Sequence, residues 1–157
     1  MAPLLSSNIL LSLFDRLTDD KPRLSVEVPM NDWERMAALK KSVARDLTNL
    51  LNTRISEHDI PEEFVEVRQS IVAYGVHDYT MSPVDKESVR RSIERCVRTF
   101  EPRLRGVQVQ WLESQSSVLE LHYRISATLK PDLGSEPVAF DAQLPMETRH
   151  FKVNTDR

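Results

Sequence analysis

Pro102 sets where one long helical run must stop, and the rest of the chain is arranged around that stop. Its ring fixes φ and disfavours helical backbone at the preceding residue, Glu101. Upstream, Ser82 reads as an N-cap, with Pro83 at the first helical position and Asp85 as the acidic member of a capping box. At about 100° per residue, Val89, Ile93, Cys96, Val97 and Phe100 share one face, and Arg91, Arg95 and Arg98 lie opposite. Downstream, Val107, Val109 and Trp111 alternate as in a strand. A helix should therefore run into a rigid corner and leave it as a strand. Glu101 and Arg103 are pinned at that corner.

Three further helices are expected ahead of it. Residues 4–17 carry Leu4, Leu5, Ile9, Leu10, Leu11, Leu13, Phe14 and Leu17 on an arc wide enough for two uses, packing on the chain's own domain or docking on a partner. Residues 19–30, polar with Pro22 and Pro29, read as a linker. The next helix runs from Asn31 or Asp32 to Arg54, with Met36, Val43, Leu47, Leu50 and Leu51 as its core stripe and Trp33 and Leu39 near the edges. Arg54 keeps the phase of that stripe if the helix persists. It then either meets a buried carboxylate, Glu101 being the candidate, or is solvated at a frayed end. Pro61, Glu62 and Glu63 suit the start of another helix. Phe64, Val67, Ile71 and Tyr74 recur along it, and Gly75 fits a left-handed C-terminal cap. Residues 55–60 and 76–81 read as connectors.

After Trp111 the period changes. Leu119, Leu121, Tyr123, Ile125, Ala127 and Leu129 alternate with Glu120, His122, Arg124, Ser126 and Thr128, as in a sheet with one solvated face. Pro131, Gly134 and Pro137 interrupt the run, Val138, Phe140, Ala142 and Leu144 resume it, and Phe151 with Val153 fit a short last strand. Helices first and an antiparallel meander afterwards make an α+β fold. The expected organisation is an N-terminal helix over 1–18, a linker, a single domain over 31–153 and a frayed tail over 154–157.

Composition narrows the chemistry. At 157 residues with a net charge of −3, the chain suits one domain and offers no overall electrostatic footprint for nucleic acid or an anionic membrane. A single cysteine cannot form an intrachain disulfide, and a reducing compartment fits. The apolar stretches fall far short of the roughly 20 residues that span a bilayer, and no basic signal region opens the chain, so a cytoplasmic location is expected. His58, His77, His122 and His150 have no metal-ligand spacing, and Cys96 sits on the apolar helix face, so neither a metal nor a cofactor is assigned. With only three glycines there is no phosphate-cradling loop.

A glycan hydrolase needs two carboxylates, and Glu57, Asp59, Glu62, Glu63, Glu101, Glu113 and Glu120 are available. The best placed, Glu101, stands among Arg98, Arg103 and Arg105, whose charge favours the ionised form, the wrong direction for a general acid. The chain is also only 6% aromatic, poor for a sugar pocket. The arginine face of the central helix reads as a solvated, salt-bridged surface, with Glu87–Arg91 and Glu94–Arg98 at i,i+4. At the corner, Glu101 and Arg103 either tie the helix end to the sheet or present directional, charge-assisted bonds to another protein.

At these residues the sequence resembles the sheath-initiator family (TssE) of the bacterial type VI secretion baseplate, among the contractile-phage baseplate wedge proteins once labelled lysozyme-like. The likeness is carried by Leu13-Phe14-Asp15-Arg16-Leu17, by Ser42-Val43-Ala44-Arg45-Asp46-Leu47 with Leu50-Leu51-Asn52-Thr53-Arg54, by Ser70-Ile71-Val72-Ala73-Tyr74-Gly75 and by Phe100-Glu101-Pro102-Arg103-Leu104. It implies a structural role without catalysis. Glu101, Pro102, Arg103 and Leu104 would be the latch onto the wedge subunits (TssF, TssG and TssK), with Arg54, Arg45 and Asp46 as possible support. A sheet edge in the meander at 117–145 would exchange a strand with the sheath subunits (TssB and TssC). Alternatives are a regulatory anti-adaptor of the same fold and the hydrolase. Removing Glu101 or Arg103 is expected to weaken wedge assembly and leave thermal stability nearly intact.

Overall fold

Asn31 opens the longest helix. Its side chain accepts from the Glu34 N–H at 2.8 Å, and Glu34 Oε2 accepts from the Asn31 N–H at 2.9 Å, a complete capping box. The helix that follows is α2 (Asp32–Asn52), preceded by a single turn, α1 (Leu13–Leu17). The computed structural model describes residues 13–18, 31–55, 60, 61, 63–77, 85–113, 120–129 and 135–156. The linker and most of the helix expected over 4–17 lie outside those residues.

α2 buries Leu39, Val43, Ala44, Leu47, Leu50 and Leu51. Leu39, placed near the edge of the stripe from sequence, belongs to the core, whereas Trp33 is exposed. The helix stops at Asn52 and does not reach Arg54. Thr53 turns to extended backbone, and its N–H closes on the carbonyls of Asn49 and Leu50. The chain continues as β1 (Arg54–Ile55), which pairs in parallel with β2 (Val76–His77).

The continuous helix expected from Pro61 to Tyr74 is broken in two. α3 (Val65–Arg68) is followed by a 3-10 turn (Ile71–Ala73). Ser70 takes extended backbone between them and its hydroxyl accepts from the Val72 N–H, while the β-branched Val65, Val67, Ile71 and Val72 give helix weak support. Phe64, Val67 and Ile71 are left exposed. Tyr74 alone of that set packs inward, edge-on to Phe100 with ring centroids 5.4 Å apart. Gly75 serves a different purpose from a helix cap. Its φ is 131°, and an added Cβ would collide with the Thr53 carbonyl, so its lack of a side chain is what lets β2 approach β1. There the Val76 N–H donates to Thr53 O at 2.9 Å.

α4 (Lys86–Phe100) starts three residues later than Ser82 implied. Asp85 is its N-cap, accepting from the N–H groups of Glu87 and Ser88 at 3.3 and 3.0 Å. Val89, Ser92, Ile93, Cys96 and Val97 are buried along one face, Phe100 is half-buried, and Arg91, Arg95 and Arg98 are exposed opposite.

After α4 come β3 (Leu104–Leu112), β4 (Glu120–Leu129), β5 (Pro137–Pro145) and β6 (Lys152–Thr155), an antiparallel sheet in the order β3-β4-β5-β6. Leu121, Tyr123, Ile125, Ala127 and Leu129 of β4 and Val138, Phe140, Ala142 and Leu144 of β5 face the core. α4 packs against β3 and α2 against β6, so a helix layer covers one face of the sheet. The fold is α+β. Two expectations shift in the sheet. The meander at 117–145 supplies its interior strands, β4 and β5, while β3 and β6 are the edges. Asn154 and Thr155, expected to fray, belong to β6.

Candidate functional site

The corner is built by a C-cap and a tight turn. Glu101 closes α4 through its N–H on Val97 O at 3.0 Å, then leaves helical backbone with φ −113° and ψ 83°. Its carbonyl accepts from the Leu104 N–H at 3.1 Å, which folds the chain over Pro102 and Arg103. Pro102 is exposed and Leu104 is in the core.

The Glu101 side chain is turned inward, and the residue is only 4% exposed. Its Oε1 accepts from the Arg103 N–H at 3.1 Å and from Arg103 Nε at 2.7 Å, and Oε2 accepts from Nη2 at 2.5 Å. Arg103 then reaches α2, donating from Nη2 to Asp46 Oδ2 at 2.7 Å and from Nη1 to Ser42 Oγ at 3.2 Å. Asp46 Oδ1 accepts from Arg45 Nη2 at 3.0 Å and Nε at 3.3 Å. Arg45 Nη1 donates to Asp15 Oδ1 at 2.5 Å, and the Ser42 hydroxyl donates to the other Asp15 oxygen. The Arg45 guanidinium also lies 4.6 Å from the centroid of the Phe14 ring, at cation–π distance. Opposite charges therefore alternate from Glu101 through Arg103, Asp46 and Arg45 to Asp15, and join the corner to α2 and α1.

The spacing on α2 explains the meeting point. Ser42, Arg45 and Asp46 stand at i, i+3 and i+4, so one helix face presents all three. Burial by itself lowers the Arg103 pKa, but the bonds and charge of Glu101, then of Asp46, outweigh it and hold the guanidinium above its ordinary value. Arg45 is raised chiefly by its bond to Asp15, against burial, with Asp46 adding to the rise. Both arginines remain cations inside the joint.

Arg45 and Asp46, expected as support for the corner, are part of the network. Arg54 is not. Its Nη1 donates to Leu51 O at 3.0 Å and its Nη2 to Arg149 O at 2.8 Å, because α2 ends before the helical phase can carry it toward Glu101. It fastens the end of α2 to the loop ahead of β6. The expected pairing on α4 also changes. Arg90 takes Glu87 at 2.7 Å and Glu94 at 2.5 Å, while the Glu94–Arg98 pair forms at 2.5 Å. Asp15 and Ser42 were not assigned a role from sequence. They sit on separate elements, and no local spacing links either to residue 103.

The inward orientation revises two expectations. Glu101 bonds to Arg103, and Arg103 to Ser42 and Asp46 of α2, so the pair does not point charge-assisted bonds at solvent. Their removal must also cost stability, since a buried pair loses its compensation when one partner goes. Both oxygens of Glu101 are occupied by Arg103, and the residue is almost wholly buried. The apolar recess of about 180 Å³ between α3 and α4, walled by Ile55, Val65, Arg68, Arg95, Cys96 and Phe100, has no carboxylate among its described lining residues. Cys96 Sγ donates to Gly75 O at 2.9 Å, and burial pushes its thiol up to about 11. No cluster of three metal-ligating side chains occurs among the described residues.

These features define a small α+β module whose charged centre is a structural joint. The model of the family described as baseplate wedge protein gp25 matches residues 37–132, more than half of the chain, and the chain belongs to that family. The matched span runs from within α2 to just past the end of β4 and includes Arg45, Asp46, Glu101 and Arg103, with Asp15 outside it. Comparison with curated proteins and with solved structures gives no match. Membership makes this a structural baseplate component of a contractile injection machine, assembled with other baseplate or sheath proteins. No helix among the described residues is long and apolar enough to cross a membrane.

Proposed function

We propose that this chain is the sheath initiator of a type VI secretion baseplate, acting in the cytoplasm over a single domain at 31–153. In this reading the corner at Glu101, Pro102, Arg103 and Leu104 docks on the wedge subunits TssF, TssG and TssK, and a sheet edge nucleates the TssB and TssC sheath. The observation that carries the docking half is the division of labour at the corner. Glu101 and Arg103 fix the turn from inside, Leu104 anchors it in the core, and Pro102 is left exposed at its tip. A surface of this kind is recognised by its fixed shape, and ordering it beforehand reduces the entropy lost on docking.

The test is co-purification of the tagged chain with wedge and sheath proteins, for wild type and Pro102→Glu. Pro102 is exposed, so the substitution leaves the ion network in place. Wild type is expected to capture wedge proteins, and the variant to lose at least about ten-fold of that capture, as for a contact at an interface centre. Equal capture by both would move the docking surface elsewhere.

A further inference from the structure

The two edges of the sheet are not equivalent, and the hydrogen bonds tell them apart. In β4, the Leu129 N–H donates to Glu136 O at 3.0 Å, and Thr128 lies opposite Pro137. Odd-numbered β4 residues therefore bond toward β5 and even-numbered ones toward β3. Gln108, Gln110 and Leu112 face Ser126, Arg124 and His122, so these three carry the bonds to β4. Val109 and Trp111, and Val107 in phase with them, turn their main-chain groups outward.

That outward row on β3 is guarded. Arg98 donates to Val107 O from Nη2 at 2.9 Å and from Nε at 3.2 Å, and Arg90 Nη1 donates to Val109 O at 3.3 Å. Both arginines come from α4 and are ion-paired to Glu94. The register also slips between Arg105 and Gln108, where Gly106 has φ 62°. A bulge and charged side chains are devices that keep an edge from pairing with another strand. A strand arriving at β3 would have to displace both guanidiniums.

β6 differs. The Asp156 N–H donates to Ala139 O at 3.0 Å, and Thr155 lies opposite Phe140. Asn154 and Lys152 consequently bond β5, while Phe151, Val153 and Thr155 turn outward. Asn52 confirms the direction of this row. Its amide donates to Phe151 O at 2.9 Å and accepts from the Phe151 N–H at 2.8 Å, as a residue of a neighbouring strand would. Beyond it, nothing among the described residues bonds the outward N–H or C=O of Val153 or Thr155.

We propose that β6, and not β3, is the edge that receives a strand, with an extended segment of a sheath subunit bonded at Val153 and Thr155 and its start limited by Asn52. The identity of the partner rests on the sheath-initiator reading above. The occupant must be extended main chain, because what β6 offers is an unpaired alternation of donor and acceptor continuing the row that Asn52 fills.

Thr155→Pro removes one outward N–H without removing a bond to β5, and Thr155→Ala keeps that N–H as the control. Purified sheath subunits are the probe, with capture and residue-by-residue amide exchange as readouts on the full chain. The expected result is protection of the Val153 and Thr155 amides on mixing, with capture falling about ten-fold in Thr155→Pro and holding in Thr155→Ala. Protection of Val109 and Trp111 instead, with undiminished capture by Thr155→Pro, would overturn the assignment to β6 and leave the sheath reading standing. Absence of capture by wild type would overturn the sheath reading, and the β6 proposal with it.

Discussion

Arg103→Ala should lower the stability of the protein by about 3 kcal/mol, a loss typical of breaking a buried ion pair. For a chain of this length that corresponds to a fall of roughly 10 °C in Tm. The cause is what the substitution leaves behind. Glu101, almost wholly buried, loses both guanidinium donors and keeps only the main-chain N–H of residue 103, and Asp46 loses its link to the corner. Pro102→Ala, beside it in sequence but exposed, should cost about 0.5 kcal/mol, mostly through added freedom of the unfolded chain. Urea and thermal unfolding of the two variants measure the difference. Equal and small losses in both would mean that Glu101 and Arg103 do not hold the corner. Wedge capture by Arg103→Ala has to be read against this loss of folded protein.

Gly75→Ala should be about as damaging as Arg103→Ala, for an unrelated reason. Its φ of 131° lies in a region that residues with a side chain rarely adopt, at a cost of about 1–3 kcal/mol. The new methyl would also meet the Thr53 carbonyl, which is main chain and cannot swing aside. The β1–β2 pairing must open to admit it, and the Val76 N–H loses Thr53 O. Gly106→Ala is the comparison. Its φ of 62° is left-handed but nothing lies within 4 Å of the added atom, so only the backbone term of roughly 1–2 kcal/mol applies. Unfolding midpoints, with the exchange rate of the Val76 amide, separate the two. A Gly106 variant as unstable as the Gly75 variant would contradict the steric account.

The parts of the fold legible in the sequence are those where one face is buried over several periods. Leu121 to Leu129 and Val138 to Leu144 alternate because a helix layer covers one side of the sheet, and Val89 to Val97 recur at helical spacing because α4, in that layer, lies on the sheet. Short elements carry no such signal. β1 and β2 have two residues each, so their pairing depends on Gly75 tolerating a close approach, which no periodicity encodes. The helix expected through Tyr74 failed for a local reason, since Phe64, Val67 and Ile71 have helical spacing but Ser70 breaks the run with its own hydroxyl. The sequence pattern sets the cap of the central helix at Ser82 with Asp85 inside the box, whereas the Asp85 carboxylate itself meets the free N–H groups of Glu87 and Ser88.

The candidate site was half legible. Pro102 locates the corner, and Glu101 and Arg103 announce a charge pair. That the pair turns inward depends on Ser42 and Asp46 standing one helical turn apart on α2, across a separation of about sixty residues that only the fold closes. Arg54 points elsewhere because α2 stops two residues before it. Asp15 enters through α1, and its role is visible only once α1 is laid beside Arg45.

Docking of the corner on the wedge, as proposed, would bring residue 102 against a wedge subunit. The most direct measurement places a photo-crosslinking residue at position 102 in one sample and at Glu147, exposed in the turn ahead of β6, in another, each in cells assembling the machine. Adducts between position 102 and wedge subunits, absent or much weaker from position 147, are the expected result. Wedge adducts from position 147 with none from position 102 would contradict the account.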